Sequence, residues 1–171
     1  MPRGTEAVER RLIALRKSYE VPVERETYDL DERGHERALE RREWGVVGTA
    51  RVWVKRDGTA LLVREVGRPE TWGVPGGLVE PDESVVEAGR REVREETGVD
   101  CEPFDVAYAH RAVLSPPGDD PDIEELAVAF LGRYRDGDVR PEPGEIRDVA
   151  WFRSLPASVR PPADRLGATR L

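Results

Sequence analysis

The apolar residues of the first segment recur at helical spacing. Val8, Leu12 and Leu15 lie at i, i+4 and i+7, and Tyr19 continues their stripe. Thr5 precedes the stripe and is a candidate N-cap. The pattern predicts an amphipathic helix at the start of the chain.

The rest of this segment predicts a second helix after a break. The run Val21-Pro22-Val23 ends the first helix, a short extended piece follows at about 27–30, and a charged helical stretch covers about 31–43. We interpret residues 1–44 as an N-terminal helical extension that packs on the main domain. A dimerisation element or a substrate lid is the alternative.

From Gly45 onward the pattern changes to that of strands. Apolar and β-branched runs at 46–56 and 59–66 meet at Asp57-Gly58, a two-residue hairpin signal. Further strand-like runs cover 105–114, 125–134 and 146–152, with a second Asp-Gly turn at 136–137.

One helix interrupts these strands. Ser84 and Glu87 form an S-x-x-E capping box, and Gly98 supplies a left-handed end, so a helix is predicted over 84–97. A Gly- and Pro-rich stretch at 67–82 precedes it and is predicted to be a loop. The fold class is α+β with a mixed β-sheet. We expect a main domain over 45–158 and a C-terminal tail over 159–171.

Composition limits the classes of partner. The chain has 171 residues, and 27 basic against 35 acidic residues give a net charge of −8. This sign disfavours binding to a nucleic acid polymer or to an anionic membrane surface. The single cysteine, Cys101, excludes an intrachain disulfide, and the absence of long apolar runs predicts a cytoplasmic protein.

Candidate chemistry lies on the predicted helix. At 100° per residue, Glu92, Glu95 and Glu96 crowd one face. Like charges at this spacing each destabilise a helix by about 0.2–0.5 kcal/mol unless a cation lies between them. A cation site and a merely solvated acidic face are both compatible with this cluster alone.

The spacing upstream of the cluster favours the cation site. The sequence reads Gly77-x5-Glu83-x7-Arg91-Glu92-Val93-x-Glu95-Glu96-x-Gly98-Val99, and it resembles the complete box of the Nudix hydrolase (MutT-like) family at every fixed position. The resemblance extends to the flanks, with Pro75-Gly76 before the box and Trp151-Phe152 after it.

The resemblance implies a fold and an activity. It implies an α/β/α sandwich with a loop-helix-loop metal site that binds Mg²⁺ or Mn²⁺. It also implies hydrolysis of the pyrophosphate bond in a nucleoside diphosphate linked to another moiety, such as an ADP-ribose-like compound or a nucleoside triphosphate. The partner is then a small nucleotide-derived substrate. A non-catalytic nucleotide-binding regulatory module is the alternative, although a module without chemistry does not need three repelling carboxylates.

The resemblance also assigns roles to residues. Glu92, Glu95 and Glu96 are the expected metal ligands, joined by the backbone carbonyl of Gly76 or, second, of Gly77. Arg91 is expected to orient these carboxylates, and Glu83 to have a structural role.

Other candidates rest on weaker signals. Glu145 is a candidate base or fourth ligand, or else a surface residue that closes a turn. Trp72 is a candidate for stacking on a nucleobase, or else packs beneath the Gly-rich loop. His110 is interpreted as a core or rim histidine rather than a ligand, and a homodimer stays open. The residues that compete with Glu145 are Asp122, Glu124 and Glu125.

Overall fold

A computed structural model describes residues 4–163 of the chain. The predicted C-terminal tail therefore lies outside the described residues from position 164 onward. The elements are α1 (Thr5–Arg16), β1 (Val23–Asp29), α2 (Glu32–Glu43), β2 (Gly48–Arg56), β3 (Thr59–Glu65), β4 (Gly76–Leu78), α3 (Val85–Thr97), β5 (Asp100–Ser115), β6 (Ile123–Asp136) and β7 (Ile146–Phe152).

Within residues 4–163 the strands form one seven-stranded sheet in the order β1-β5-β6-β2-β3-β7, with β4 paired to β2. The pairs β1–β5 and β2–β6 are parallel and the other pairs are antiparallel, which confirms the predicted mixed sheet. The predicted hairpin joins β2 and β3, and both of its turn residues have positive φ, 49° at Asp57 and 73° at Gly58.

Helices cover both faces of the sheet. Because alternate residues of a strand face opposite sides, Val128 and Phe130 of β6 reach the cluster that contains α1 and α3. On the other side, Ile123 of β6 packs with Leu114 and with Ala38 of α2. The layers are those of an α/β/α sandwich, as the sequence predicts. Among the described residues, none of the helices is long and apolar enough to cross a bilayer.

The N-terminal segment contributes to the main core. Val8, Leu12 and Leu15 are buried in the same cluster as α3. The strand β1 then pairs with β5 over seven positions, a longer extended piece than the sequence predicts. Gly4, not Thr5, is the N-cap of α1, with φ of 97°. A side chain at this position would lie 2.6 Å from the carbonyl oxygen of Glu124, so the helix begins where only glycine fits.

One loop prediction and one strand prediction differ from the structure. The Gly- and Pro-rich stretch predicted as a loop contains β4, which has three residues and pairs with β2 at positions 49–51. The strand β5 begins at Asp100, not at 105, and its pairing with β6 shifts register between Asp100 and Cys101, Pro103 and Asp105, and Val106 and Tyr108. These irregularities break the alternation on which a sequence prediction depends.

We expect Leu12→Ala to lower the free energy of unfolding by about 2–5 kcal/mol, because it deletes a core side chain that is 1% exposed. The matched control is Ile13→Ala on the same helix, where the side chain is 57% exposed and the change should stay within about 0.5 kcal/mol. Urea unfolding measures both variants. Equal effects of the two substitutions would contradict the placement of α1 in the core.

Candidate metal and active site

The helix α3 is fixed at both ends by its own sequence. The side chain of Ser84 accepts a hydrogen bond from the N–H of Glu87, and the side chain of Glu87 accepts one from the N–H of Ser84, at 3.2 and 2.9 Å. Gly98 ends the helix with φ of 75°. These contacts confirm the predicted capping box and C-terminal glycine, and they set which residues of α3 face the sheet.

A glycine in α3 brings the helix close to β2. A Cβ atom on Gly89 would lie 2.9 Å from the Cγ2 of Val52, which is too near for any side chain without movement. Val93 and Thr97 are buried on the same side. The carboxylate face of α3 therefore stands directly beside β4, which is paired to β2.

The diglycine turn accommodates both the sheet and the helix. A Cβ atom on Gly76 would lie 2.2 Å from the carbonyl oxygen of Ala50 in β2. A Cβ atom on Gly77 would lie 2.6 Å from the carboxyl carbon of Glu92. The two positions exclude side chains for two different reasons, and the second leaves room for a carboxylate.

Glu96 is the most buried carboxylate of the helix, with 8% of its surface exposed. Its Oε2 accepts a hydrogen bond from the backbone N–H of Gly76 at 2.8 Å. Burial, with a smaller contribution from the charge of Glu92, raises the pKa of Glu96 to about 8, although the Gly76 N–H and the Arg51 guanidinium act to lower it. A cation beside this group would favour its ionised form.

The carbonyl group of Gly76 has a separate partner. It accepts a hydrogen bond from Nη1 of Arg51 at 3.3 Å, so the Gly76 contact with Glu96 is made by its N–H. A carbonyl oxygen has two lone pairs, and one is left for a cation. The role of Gly76 as a backbone ligand stays a prediction.

Arg91 holds the carboxylates of the turn and the helix together. Its guanidinium donates to both carboxylate oxygens of Glu83 at 2.9 and 3.0 Å, to Glu92 at 2.9 Å and to Glu95 at 3.0 Å. It also donates to the carbonyl oxygen of Leu78 at 3.0 Å. The hydrogen bonds to Glu83 and to the neighbouring carboxylates raise the pKa of Arg91 above its usual value. This geometry agrees with the orienting role predicted for Arg91.

Glu92 lies between this arginine and Gly77. Burial raises the pKa of Glu92 above its usual range, although the hydrogen bond and the charge of Arg91 lower it. Glu95 is the most exposed of the three acids on this face, with half of its side-chain surface accessible. The three predicted ligands thus differ in burial but share one side of the helix.

The predicted residues meet in a cavity of about 540 Å³. Six glutamates and one arginine line it, and the loop before β7 faces α3 across it. The cavity-lining residues that the sequence predicts are Gly76, Gly77, Arg91, Glu92, Glu95, Glu96 and Glu145. An excess of carboxylates around one guanidinium is a donor set for hard divalent cations such as Mg²⁺ or Mn²⁺.

Sequence reasoning missed Glu142, which also lines this cavity. Its N–H donates to the carbonyl oxygen of Glu96 at 3.2 Å, which ties the facing loop to the end of α3. Burial raises the pKa of Glu142, and the charges of Glu145 and Glu95 raise it further. The i, i+3 spacing of Glu142 and Glu145 is the only signal in the sequence that could have indicated the pair.

The three competitors of Glu145 lie elsewhere. Glu124 is 2% exposed and has Arg25 and Arg111 at 3.4 and 3.8 Å. Glu125 and Asp122 also have partners of their own, Arg41 and Ser115. The structure therefore brings Glu145, and none of these three, to the carboxylate cavity.

Trp72 does not line the carboxylate cavity either. Its ring meets that of Phe152 edge-on at 4.7 Å between centroids, and the guanidinium of Arg64 lies 4.6 Å from its centroid. Trp72 belongs to the packing on the opposite face of the sheet from α3. These contacts are those of the packing alternative given for Trp72, and its stacking on a nucleobase stays a prediction. Within residues 4–163 the aromatic residue that lines the cavity is Trp44.

His110 is buried, as predicted, and it has two carboxylate neighbours. Its ring nitrogens lie 3.3 Å from Glu24 and 3.6 Å from Glu26. These three residues could hold a cation, and they belong to a different part of the sheet from the α3 carboxylates. Two of them line a smaller cavity of about 190 Å³, Glu26 and His110.

Comparisons of this chain with known proteins identify a single family. The sequence model of the NUDIX domain matches residues 46–165. The chain is 34% identical over 102 residues to the NAD-capped RNA hydrolase NudC of Chromobacterium violaceum, covering 59% of this chain and 36% of that protein. It is 43% identical over 54 residues to the human 8-oxo-dGDP phosphatase NUDT18, covering 30% of this chain and 17% of that protein. The chain thus spans about a third or less of these curated relatives.

One solved structure is similar over most of its length. It is described as a MutT NUDIX hydrolase from Burkholderia pseudomallei, with a TM-score of 0.56 and 27% identity. The similarity covers 73% of this chain and 97% of that one. The shared sheet and helices agree with the α/β/α layers described above.

We expect Gly77→Ala to weaken Mn²⁺ binding by at least about tenfold, because the new methyl group would displace the carboxylate of Glu92. Gly67→Ala is the control, since a Cβ atom there meets nothing within 4 Å. Calorimetric titration with Mn²⁺ measures the affinity, and thermal unfolding verifies that both variants fold. Wild-type affinity in the Gly77 variant would show that this contact does not shape the site.

The raised pKa of Glu96 predicts a pH-dependent stability when divalent metal is removed by a chelator. The folded protein keeps a proton on Glu96 up to a pKa of about 8, whereas the unfolded chain loses it near 4.5. The free energy of unfolding should therefore fall as the pH rises through this window and then level off. Glu96→Gln should flatten this slope, and Glu70→Gln, at an exposed position, should not. Parallel urea profiles for all three proteins across the window would contradict the assigned burial.

Proposed function

We propose that this chain, which belongs to the NUDIX family, is a metal-dependent pyrophosphohydrolase that acts on a nucleoside diphosphate linked to another moiety. One observation carries the proposal: carboxylates from α3 and from the loop before β7 converge on the diglycine turn in a single cavity. The chain's own residues thus supply the donors and the close backbone that this chemistry requires.

The donor set fits a divalent cation. Glu92, Glu95 and Glu96 would hold it, with the Gly76 carbonyl as a backbone ligand. Their mutual repulsion and the burial of Glu96 favour a cation at this place. When bound, such an ion neutralises diphosphate charge and lowers the pKa of a coordinated water. It would also allow a chain with a net charge of −8 to accept an anionic substrate.

The residues around the donors have distinct tasks. Arg91 fixes the orientation of Glu92 and Glu95, and the Gly76 N–H fixes that of Glu96. Glu142 and Glu145 face these groups from the opposite loop and can take a proton from the attacking water. The water oxygen forms a bond to one phosphorus, the bridging P–O bond breaks, and the second phosphate leaves with its substituent.

The choice of substrate rests on chemistry that the similar proteins share. The two relatives described above are a hydrolase of NAD-capped RNA and a phosphatase of 8-oxo-dGDP. Both compounds contain a diphosphate joined to a nucleoside, and we propose that class for this chain. A capped RNA belongs in the tests, because the expectation of a polymer-free substrate came from net charge alone.

We expect Glu96→Gln to lower kcat by at least about 100-fold while the protein stays folded, because the substitution removes a buried charge from the donor set. Glu70→Gln is the matched control and should keep wild-type activity. The assay supplies Mg²⁺ with ADP-ribose, NAD, an NAD-capped RNA and 8-oxo-dGTP as substrates and scores released mononucleotide. Excess chelator should abolish turnover.

Near-full activity in the Glu96 variant, or an unchanged rate in chelator, would refute the assignment. If the wild-type chain binds these compounds tightly and hydrolyses none, the regulatory nucleotide-binding module becomes the better account.

A further inference from the structure

Trp44 is an exposed aromatic residue at the rim of the carboxylate cavity. Its side chain is 79% exposed, whereas Trp53, which packs in the core, is 1% exposed. Trp44 lines the same cavity as Glu92 and Glu96. Exposed apolar residues that cluster at the rim of a site, as Trp44 does with Leu78 and Val46, are candidate ligand contacts.

The backbone of Trp44 is fixed although its side chain is free of core packing. Trp44 is the C-cap of α2, and its N–H donates to the carbonyl of Glu40 at 3.1 Å. The N–H group of Gly45 donates to the backbone carbonyl oxygen of Arg42, and that of Val46 to the backbone carbonyl oxygen of Arg41, both at 2.9 Å. Because the backbone that carries the indole is fixed, less conformational entropy is lost when a ligand packs on the ring.

The following glycine sets the direction of the chain at this point. Gly45 has φ of 79°, and a Cβ atom there would lie 2.8 Å from the Cγ of Pro81. Pro81 lines the carboxylate cavity as well. The close packing of Gly45 on Pro81 thus anchors the end of α2 beside the turn that precedes α3.

Trp44 shares the lining of the carboxylate cavity with two apolar residues. Trp44, Val46 and Leu78 line both the carboxylate cavity and an adjoining cavity of about 470 Å³, whose lining also includes Glu40 and Arg41. Leu78 is 41% exposed and directly follows Gly77. The two cavities thus share an apolar wall, and the acidic oxygens of α3 lie at one end of it.

Such a site fits a ligand with the same two parts. A diphosphate at the carboxylate end and a planar ring at the apolar end would each meet matching chemistry. Two adjoining cavities of about 540 and 470 Å³ have room for both parts of a nucleotide. Indole rings bind nucleobases by stacking, largely independent of base identity.

We propose that Trp44, with Val46 and Leu78, forms the surface on which the nucleobase of the substrate stacks. This inference rests on the proposed function. Trp44 precedes residue 46, where the match to the NUDIX domain begins, so the N-terminal segment supplies the substrate contact. Of the substrate-lid alternative for residues 1–44, this inference retains a single substrate contact, which the side chain of Trp44 makes at the end of α2.

The test compares two ligands that differ by the nucleoside. One is the α,β-methylene analogue of ADP, whose bridging carbon prevents hydrolysis, and the other is methylenediphosphonate. Calorimetric titration in Mg²⁺ should show Trp44→Ala binding the nucleotide analogue about 5- to 100-fold more weakly and methylenediphosphonate as the wild type does. Trp44→Phe, which keeps a ring, should lose less.

Tryptophan fluorescence provides an independent measurement. The nucleotide analogue should quench the emission of the wild type, and Trp44→Phe should lose that quenching. Trp151→Phe is the control and should keep it, because Trp151 packs against Tyr134 at 5.9 Å between centroids. Thermal unfolding should be unchanged in Trp44→Ala, since the side chain is exposed.

Three results would overturn the inference: equal affinity of wild type and Trp44→Ala for the nucleotide analogue, equal losses for both ligands, or no binding of either ligand by the wild type. If the first of these results comes with a change in sedimentation, the surface is a contact between copies of this chain. Failure of the proposed function gives a different result, namely Glu96→Gln retaining activity whatever the Trp44 variants do.

Discussion

The hydrogen bond from the Gly76 N–H to the buried Glu96 carboxylate joins the two halves of the site. It links β4, an extension of the sheet, to α3, and it holds a carboxylate where water is largely excluded. The approach it requires depends on glycines at both contacts, Gly76 against β2 and Gly89 against Val52. Because these glycines set the distance between α3 and β4, the remaining carboxylates of α3 lie beside the diglycine turn. Arg91 can then bridge the helix and the turn with its hydrogen bonds.

This arrangement places unfavourable electrostatics where a ligand can relieve them. Burial and neighbouring charge oppose the ionised form of Glu96, and burial does the same for Glu92 despite Arg91. A site that is strained in this way without a cation gains by binding one. The packing of α1 and α3 on one face of the sheet, and of α2 on the other, stabilises the fold and offsets this unfavourable electrostatic free energy.

The sequence predicts well the features that are set by neighbours along the chain. The ends of α3 follow from Ser84, Glu87 and Gly98, and the face shared by its carboxylates follows from helical periodicity. Features set by contacts between distant segments were missed or misplaced. Nothing local places Glu142 opposite α3, and the sequence does not distinguish a packed Trp72 from an exposed Trp44. The roles given to the individual ligands stay predictions, since the structure fixes their positions and not their chemistry.

The pairing of β1 with β5 has a consequence for the solubility of the fold. The strand β5 has 16 residues, and without β1 its outer backbone groups would be open to pairing with another chain. The strand β1 covers positions 109–115 of this edge and is itself an edge strand of seven residues that includes Glu24, Arg25 and Glu26. Charged side chains on a short terminal strand discourage intermolecular β-pairing. The N-terminal segment therefore covers this part of the sheet edge in addition to its part in the core.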